Sequence, residues 1–135
     1  QEFEDALRNY GLNLGMAFQL ADDVLDYTST EESLGKSLGI DLQEGKLTLP
    51  LIVALSRATE EEIKIIKNAL LCERLEKEMF LQVQAIIKKY EGFSATYDLA
   101  RAYVDKAKSS LTVFKESLEK DMLFAIADRV VTRIR

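Results

Sequence analysis

The sequence predicts an all-α fold, a helical bundle of about six helices. Only six glycines and one proline occur in 135 residues. That is about 5%, against a usual combined share near 12%, so the turns of a β-fold have few residues to form them. Apolar residues recur at spacings of three and four along most of the chain, which is the period of an amphipathic helix. No stretch alternates apolar and polar residues as a half-buried strand does.

Composition narrows the classes of function. Apolar residues make up 47% and charged residues 30% of the chain, as in a globular protein of one domain. The net charge of −5 argues against a nucleic-acid partner. Histidine is absent and Cys72 is the single cysteine, which excludes Ser-His and Cys-His catalysis, a disulfide framework and multi-cysteine metal sites. No run of 18 uncharged apolar residues predicts a transmembrane segment, and we expect a cytoplasmic protein.

The first predicted helix covers residues 1–26. Its apolar residues follow the helical period, and over residues 12–25 they cover nearly the whole circumference, which is typical of a helix buried on most sides. The chain begins inside this helical pattern, with neither an initiator Met nor a signal peptide,. We therefore expect a C-terminal fragment of a longer protein, with residues 1–135 forming a single helical domain.

Residues 27–46 are predicted to form a loop. They lack a helical period apart from a possible turn after Thr30, and they contain Gly35, Gly39 and Gly45. A connection of this length in a compact domain is usually functional or disordered.

The remaining helices are predicted within residues 47–135. Pro50 lies in the first turn of the second helix, Thr59 and Glu62 form a capping-box pattern at the start of the third, and Gly92 is expected to end the fourth. The predicted helices cover residues 47–58, 59–71, 73–90, 94–111 and 118–134.

An acidic cluster interrupts the apolar first helix near its end. Gln19, Asp22 and Asp26 are spaced so that they share one face, and Asp23 lies beside them. Carboxylates at this end oppose the helix dipole, and unpaired charges on an apolar helix cost several kcal/mol each. A hard divalent cation such as Mg²⁺, which binds one or two carboxylates together with substrate phosphates, would compensate them. The alternative is a solvated helix end whose acids point to water.

The predicted loop adds lysines next to this cluster. Lys36 and Lys46 each follow a glycine, and Asp41 lies between them. Lysines on flexible loops can reach a polyanion as point charges. Together with the carboxylates and the apolar helix they indicate a site for a diphosphate on an apolar tail, although each lysine alone fits an ordinary solvated loop.

Residues 15–27, GMAFQLADDVLDY, resemble the second aspartate-rich motif of the trans-type isoprenyl diphosphate synthases. Residues 35–41, GKSLGID, residues 45–50, GKLTLP, and residues 127–133, ADRVVTR, fit the same family. The resemblance covers the whole chain and is closest to the long-chain polyprenyl, octaprenyl-like synthases. It implies the C-terminal part of an isoprenoid synthase fold, without the first aspartate-rich motif.

The resemblance also implies a metal site. Asp22 would bind a Mg²⁺ that also holds the allylic diphosphate, and would be catalytic. Asp23 and Asp26 would complete the metal site. Asp41 would contact the residues that bind the metal, without touching the ion itself.

The resemblance also implies substrate contacts from the first helix and from the loop that follows it. Gln19, Lys36 and Lys46 would bind the diphosphate, with Lys36 catalytic as well, and Phe18 would line the prenyl pocket. The implied reaction condenses an allylic diphosphate with isopentenyl diphosphate through an allylic cation. We expect self-association, for example as a homodimer, and no activity from this chain alone.

Other interpretations remain open from the sequence. A class I terpene cyclase or a regulatory, non-catalytic subunit could share the fold, although the three aspartates and Lys36 favour the synthase. A helical interaction domain with a chance acidic cluster is the third possibility.

Overall fold

All regular elements of the described residues are helices, which confirms the all-α prediction. The computed structural model describes residues 1–29 and 39–134. Over the described ranges, no helix is long and apolar enough to cross a membrane. A 3-10 turn at Ser110–Val113 precedes the last of seven α-helices within these ranges. They are α1 (Glu2–Thr28), α2 (Ile40–Gln43), α3 (Leu49–Arg57), α4 (Glu60–Leu71), α5 (Lys77–Lys89), α6 (Gly92–Ser109) and α7 (Leu118–Thr132).

The helices form two compact units. One contains Gln1–Asp22 and Tyr97–Arg135, and the other contains Asp23–Thr96. The one-turn helix α2 lies in the segment predicted as a loop, and the turn expected after Thr30 lies outside the described residues.

Small buried residues and long-range hydrogen bonds stabilise the first unit. Ala6, Ala17 and Ala21 of α1 are buried, and side chains this small let neighbouring backbones approach closely. The Tyr10 hydroxyl donates to the carbonyl oxygen of Leu123 over 2.7 Å. This bond satisfies a buried phenol and fastens α1 to α7.

The second unit has a larger apolar core. Leu51 of α3, Ile66 of α4, and Val83 and Ile87 of α5 are completely buried in one cluster. The Tyr27 ring at the end of α1 packs against two further rings, with centroid distances of 5.8 Å to each; these belong to Phe80 and Phe93. The core therefore fixes the end of α1, which carries part of the acidic motif.

Glu62 joins two helices of this unit and confirms the predicted capping box. The Thr59 hydroxyl accepts from the Glu62 backbone N–H over 3.2 Å, and Glu62 Oε1 accepts from the Thr59 N–H over 2.9 Å. Glu62 also accepts from Lys89 Nζ over 2.9 Å and from the Tyr90 hydroxyl. These donors, led by the Thr59 backbone, lower the pKa of Glu62 to about 2.

Gly92 begins α6, whereas the sequence predicted only that it ends the preceding helix. The reversal occurs one residue earlier, at Glu91, whose φ is 61°. A Cβ on Gly92 would lie 2.4 Å from the carbonyl oxygen of Pro50. Glycine is needed here because the backbone of α6 passes close to α3.

Candidate active site

The predicted site residues on α1 lie in its last three turns and differ in exposure. Gln19 is exposed, 43% of the Asp22 side chain is exposed, and Asp26 is 3% exposed. Their spacing places them on one helical face. Exposure therefore falls along this face, so only its first part is open to a ligand.

Asp22 is accessible and is paired with the end of α7. Arg133 Nη2 donates to Asp22 Oδ1 over 3.2 Å, and the guanidinium carbon lies 4.9 Å from the centroid of the Phe18 ring. The sequence interpretation assigned Arg133 no role. The available signal was its spacing of one helical turn from Arg129, which puts two cations on one side of an apolar helix end.

Phe18 lines a cavity in the first unit. Its volume is about 560 Å³, and Phe18 is 48% exposed. The walls are mostly apolar and carry two arginines, so the cavity can hold an apolar chain close to positive charge. Its lining consists of Gly11, Leu14, Gly15, Phe18, Ile126, Arg129, Val130 and Arg133.

Asp26 is tied to the segment that follows the predicted loop. Its Oδ2 accepts from the Asp41 backbone N–H over 3.1 Å, and its carbonyl oxygen accepts from the Gly39 N–H over 2.9 Å. Asp23, at 8% exposure, is also buried. The structure thus brings Asp26 and Asp41 together, with the Asp26 carboxylate on the Asp41 backbone.

Lys46 lies at the other end of this segment, beside two acids. Its Nζ is 3.2 Å from Glu44 Oε2 and 3.8 Å from Asp41 Oδ1, and its N–H donates to the Asp41 carbonyl oxygen over 2.8 Å. The hydrogen bond and charge of Glu44, followed by the charge of Asp41, raise the pKa of Lys46. The exposed ammonium therefore stays charged and can exchange these partners for an anion.

Tyr27 is a buried phenol at the acidic end of α1. Burial raises its pKa, and the negative charges of Asp26, Asp41 and Asp23 raise it further. The hydroxyl therefore keeps its proton, and it has no hydrogen-bond partner among residues 1–29 and 39–134. The Tyr27 side chain is completely buried.

The metal assignment of Asp22, Asp23 and Asp26 stays a prediction. Within the described part of the chain, no three acidic, histidine or cysteine side chains are grouped so that they could hold a metal ion. Mg²⁺ is usually held by one or two carboxylates together with substrate phosphates and water. The accessible carboxylate of Asp22 fits that coordination. Lys36 lies outside the described residues, so its predicted contact with diphosphate is also untested.

Comparisons with known proteins converge on one family. The model of the polyprenyl synthetase family matches residues 1–88. The octaprenyl diphosphate synthase of Haemophilus influenzae is 36% identical over 130 residues, which cover 96% of this chain and 39% of that protein. The chain therefore spans about two fifths of the length of this relative.

Two solved structures share the fold. A polyprenyl synthase from Caulobacter crescentus, complexed with calcium and isoprenyl diphosphate, matches with a TM-score of 0.90 and 42% identity, over 97% of this chain and 40% of its own. A geranylgeranyl pyrophosphate synthase from Corynebacterium glutamicum, complexed with isoprenyl diphosphate and magnesium, matches with a TM-score of 0.89 and 27% identity, over 98% of this chain and 38% of its own.

Proposed function

Because the chain belongs to the polyprenyl synthetase family, we propose that it carries the allylic-diphosphate site of a Mg²⁺-dependent trans-prenyltransferase. The reaction would join an allylic diphosphate to isopentenyl diphosphate and give a longer trans-polyprenyl diphosphate. The accessible stretch of α1 over residues 18–22 carries this proposal, because an amide, a carboxylate and an aromatic ring are open to a ligand there: Gln19, Asp22 and Phe18.

The chemistry of these groups suits an anionic head on an apolar chain. The Asp22 carboxylate offers oxygen to a hard cation, and the Gln19 amide can donate to a phosphate oxygen. Phe18 lies at the apolar cavity, where a prenyl chain would leave water,. The ligands named for the two solved synthases, a divalent cation and isoprenyl diphosphate, are of the same two classes.

The reaction needs cleavage of the bond between the allylic carbon and the diphosphate oxygen. The bound metal would act as a Lewis acid for the departing diphosphate, which keeps the electron pair. Lys36 and Lys46 would balance the charge that develops on its oxygens. The double bond of isopentenyl diphosphate then attacks the allylic cation, and loss of a proton restores a double bond. Phe18 and the apolar walls would keep water away from that cation.

Asp23, Asp26 and Asp41 complete the proposed site in different ways. Asp23 and Asp26 would add negative charge that favours the cation. The contact between Asp26 and Asp41 would hold the segment that ends at Lys46. Their roles are therefore to shape the site around Asp22.

Catalysis is proposed to require more of the synthase than the part that this chain matches. The chain matches 39% of the Haemophilus influenzae synthase, and we propose that it is inactive alone and self-associates in the cytoplasm. Exposed apolar side chains favour self-association; Leu12 is 63% and Ile52 is 46% exposed. Sedimentation at micromolar concentration tests this, and a stable monomer would contradict it.

A chimera tests the activity. This chain replaces the matching part of the Haemophilus influenzae synthase, and incorporation of labelled isopentenyl diphosphate into longer products is measured. The chimera should elongate an allylic diphosphate only with Mg²⁺, and Asp22→Ala should slow elongation by about a thousandfold. Asp5→Ala, which removes an exposed acid of the same helix, is the matched control. A folded chimera with equal activity in both variants would refute the assignment of Asp22.

A further inference from the structure

Arg133 makes two specific contacts with the candidate site. It donates to Asp22 Oδ1 over 3.2 Å, and its guanidinium lies 4.9 Å from the Phe18 ring centroid. One contact fixes an edge of the planar group and the other fixes its face. Arg133 is therefore held at the one carboxylate of α1 that the proposed function gives to the metal.

We propose that Arg133 is a diphosphate-binding residue with two alternating partners. It neutralises Asp22 while no divalent cation is bound, and it turns to the diphosphate oxygens once a cation takes the carboxylate. This inference rests on the proposed function, because that function supplies the cation and the diphosphate.

The exposure of the pair makes this exchange feasible. The Arg133 side chain is 33% exposed and the Asp22 side chain 43%. Ion pairs this open to water are weak, so a divalent cation can displace the guanidinium. A fully buried pair would resist separation, because each charge would be left without a partner.

The released guanidinium would meet a suitable anion. Its five donors form a rigid fork that matches phosphate oxygens, which a lysine cannot reproduce. Arg133 also lines the cavity of about 560 Å³ that Phe18 borders. A diphosphate whose apolar chain enters this cavity would therefore place its oxygens within reach of the guanidinium.

A purely structural role gives a different expectation. Arg133 is the C-cap residue of α7, where a cation stabilises the helix dipole. If that were its only role, its loss would weaken metal and diphosphate binding together, or leave both unchanged. Exchange of partners predicts opposite signs instead.

Arg129 offers a matched control within the same cavity. It carries the same charge and lines the same walls, but forms no ion pair with any residue in ranges 1–29 and 39–134. Arg133→Gln and Arg129→Gln therefore each remove one positive charge from the lining of the same cavity, and only Arg133→Gln removes the partner of Asp22.

The experiment measures two affinities of the 135-residue protein. Mn²⁺ binding is followed by electron paramagnetic resonance, and binding of inorganic pyrophosphate in saturating Mn²⁺ is followed by calorimetry. Arg133→Gln should tighten Mn²⁺ binding by up to about fivefold, since the competing ion pair is gone. It should weaken pyrophosphate binding by about tenfold, since hydrogen bonds to a charged group are lost. Arg129→Gln should leave Mn²⁺ binding unchanged.

Only tighter Mn²⁺ binding together with weaker pyrophosphate binding in Arg133→Gln supports the proposal, and any other combination would overturn it. Losses of both affinities, or no change in either, would overturn the role of Arg133. If Arg133→Gln does not fold, Arg133→Lys serves: it should keep Mn²⁺ affinity near the original and still weaken pyrophosphate binding, and full retention of pyrophosphate affinity would overturn the proposal. Asp22→Asn distinguishes a failure of the proposed metal site from a failure of the role proposed for Arg133. Unchanged Mn²⁺ binding in that variant would refute the proposed metal site itself, whereas its loss leaves the Arg133 result decisive.

Discussion

Asp22 and Asp26 should respond oppositely to substitution by alanine. Asp22 is partly exposed and pairs with an arginine, whereas Asp26 is 3% exposed and accepts the Asp41 N–H over 3.1 Å. We expect Asp22→Ala to remove activity and spare the fold. The main effect of Asp26→Ala should be a loss of fold stability.

The magnitudes follow from the contacts. Loss of a hydrogen bond to a buried charged group, which leaves its donor unsatisfied, costs about 1.5–3 kcal/mol. For a chain of this size that lowers the melting temperature by roughly 5–10 °C. Loss of the exposed Asp22 pair costs about 0–1 kcal/mol. In the chimera, however, Asp22→Ala should slow turnover by about a thousandfold, since a metal contact to the departing anion is worth several kcal/mol.

Thermal unfolding followed by circular dichroism tests the first half, and elongation by the chimera tests the second. Asp26→Asn is the matched control, because its amide oxygen can still accept the Asp41 N–H; it should recover most of the lost melting temperature. An Asp26→Ala variant as stable as the original, or an asparagine no better than alanine, would refute the positioning role. Equal and small losses of turnover from both alanines would refute the metal role.

Gly39→Ala should lower the unfolding free energy in urea titrations by roughly 2–4 kcal/mol, since its φ is 77° and a Cβ would lie 2.6 Å from Phe80 Cδ1. Gly45→Ala, at φ 76° with its nearest contact at 3.7 Å, should cost only about 1–2 kcal/mol; equal losses would contradict the steric explanation. The pKa of Glu62 is lowered from 4.5 to about 2. The stability that its ionised carboxylate gives to the fold is therefore complete above pH 4.5 and is lost as the pH falls towards 2. The loss of melting temperature in Glu62→Gln should shrink over that range, and a pH-independent loss would exclude this linkage. Lys36→Ala should raise KM for the allylic diphosphate in the chimera without a change in melting temperature, and unchanged kinetics would return Lys36 to an ordinary solvated role.

Local signals accounted for most helix positions. The capping box at Thr59 and Glu62 was readable because its two partners lie three residues apart, and both of its hydrogen bonds are present. The role of Gly92 is only partly predictable from the local sequence. Its requirement for glycine comes from the carbonyl of Pro50, which is distant in the chain, so the same residue could be taken for a helix stop.

Contacts between distant residues could not be predicted from the sequence. Arg133 and Asp22 are 111 residues apart, and neither the helical period nor the charge pattern joins them. Asp26 and Asp41 are 15 residues apart, and their contact is likewise not predictable from the local sequence. Tertiary packing decides these pairs, and they distinguish an aspartate that holds the chain from one that is open to a ligand.

Helical periodicity gives the direction of a side chain but not what covers it. Gln19, Asp22 and Asp26 point to one side of α1 by their spacing, yet their exposure falls from the first to the last. The backbone around Gly39 and Asp41 covers Asp26, and that same segment continues through α2 to Lys46, whose N–H is bound to the Asp41 carbonyl. The buried aspartate therefore fixes the backbone that carries the lysine. A substitution at Asp26 should disturb charge at Lys46 as well, so a loss of diphosphate binding in that variant would not by itself identify Asp26 as a metal ligand.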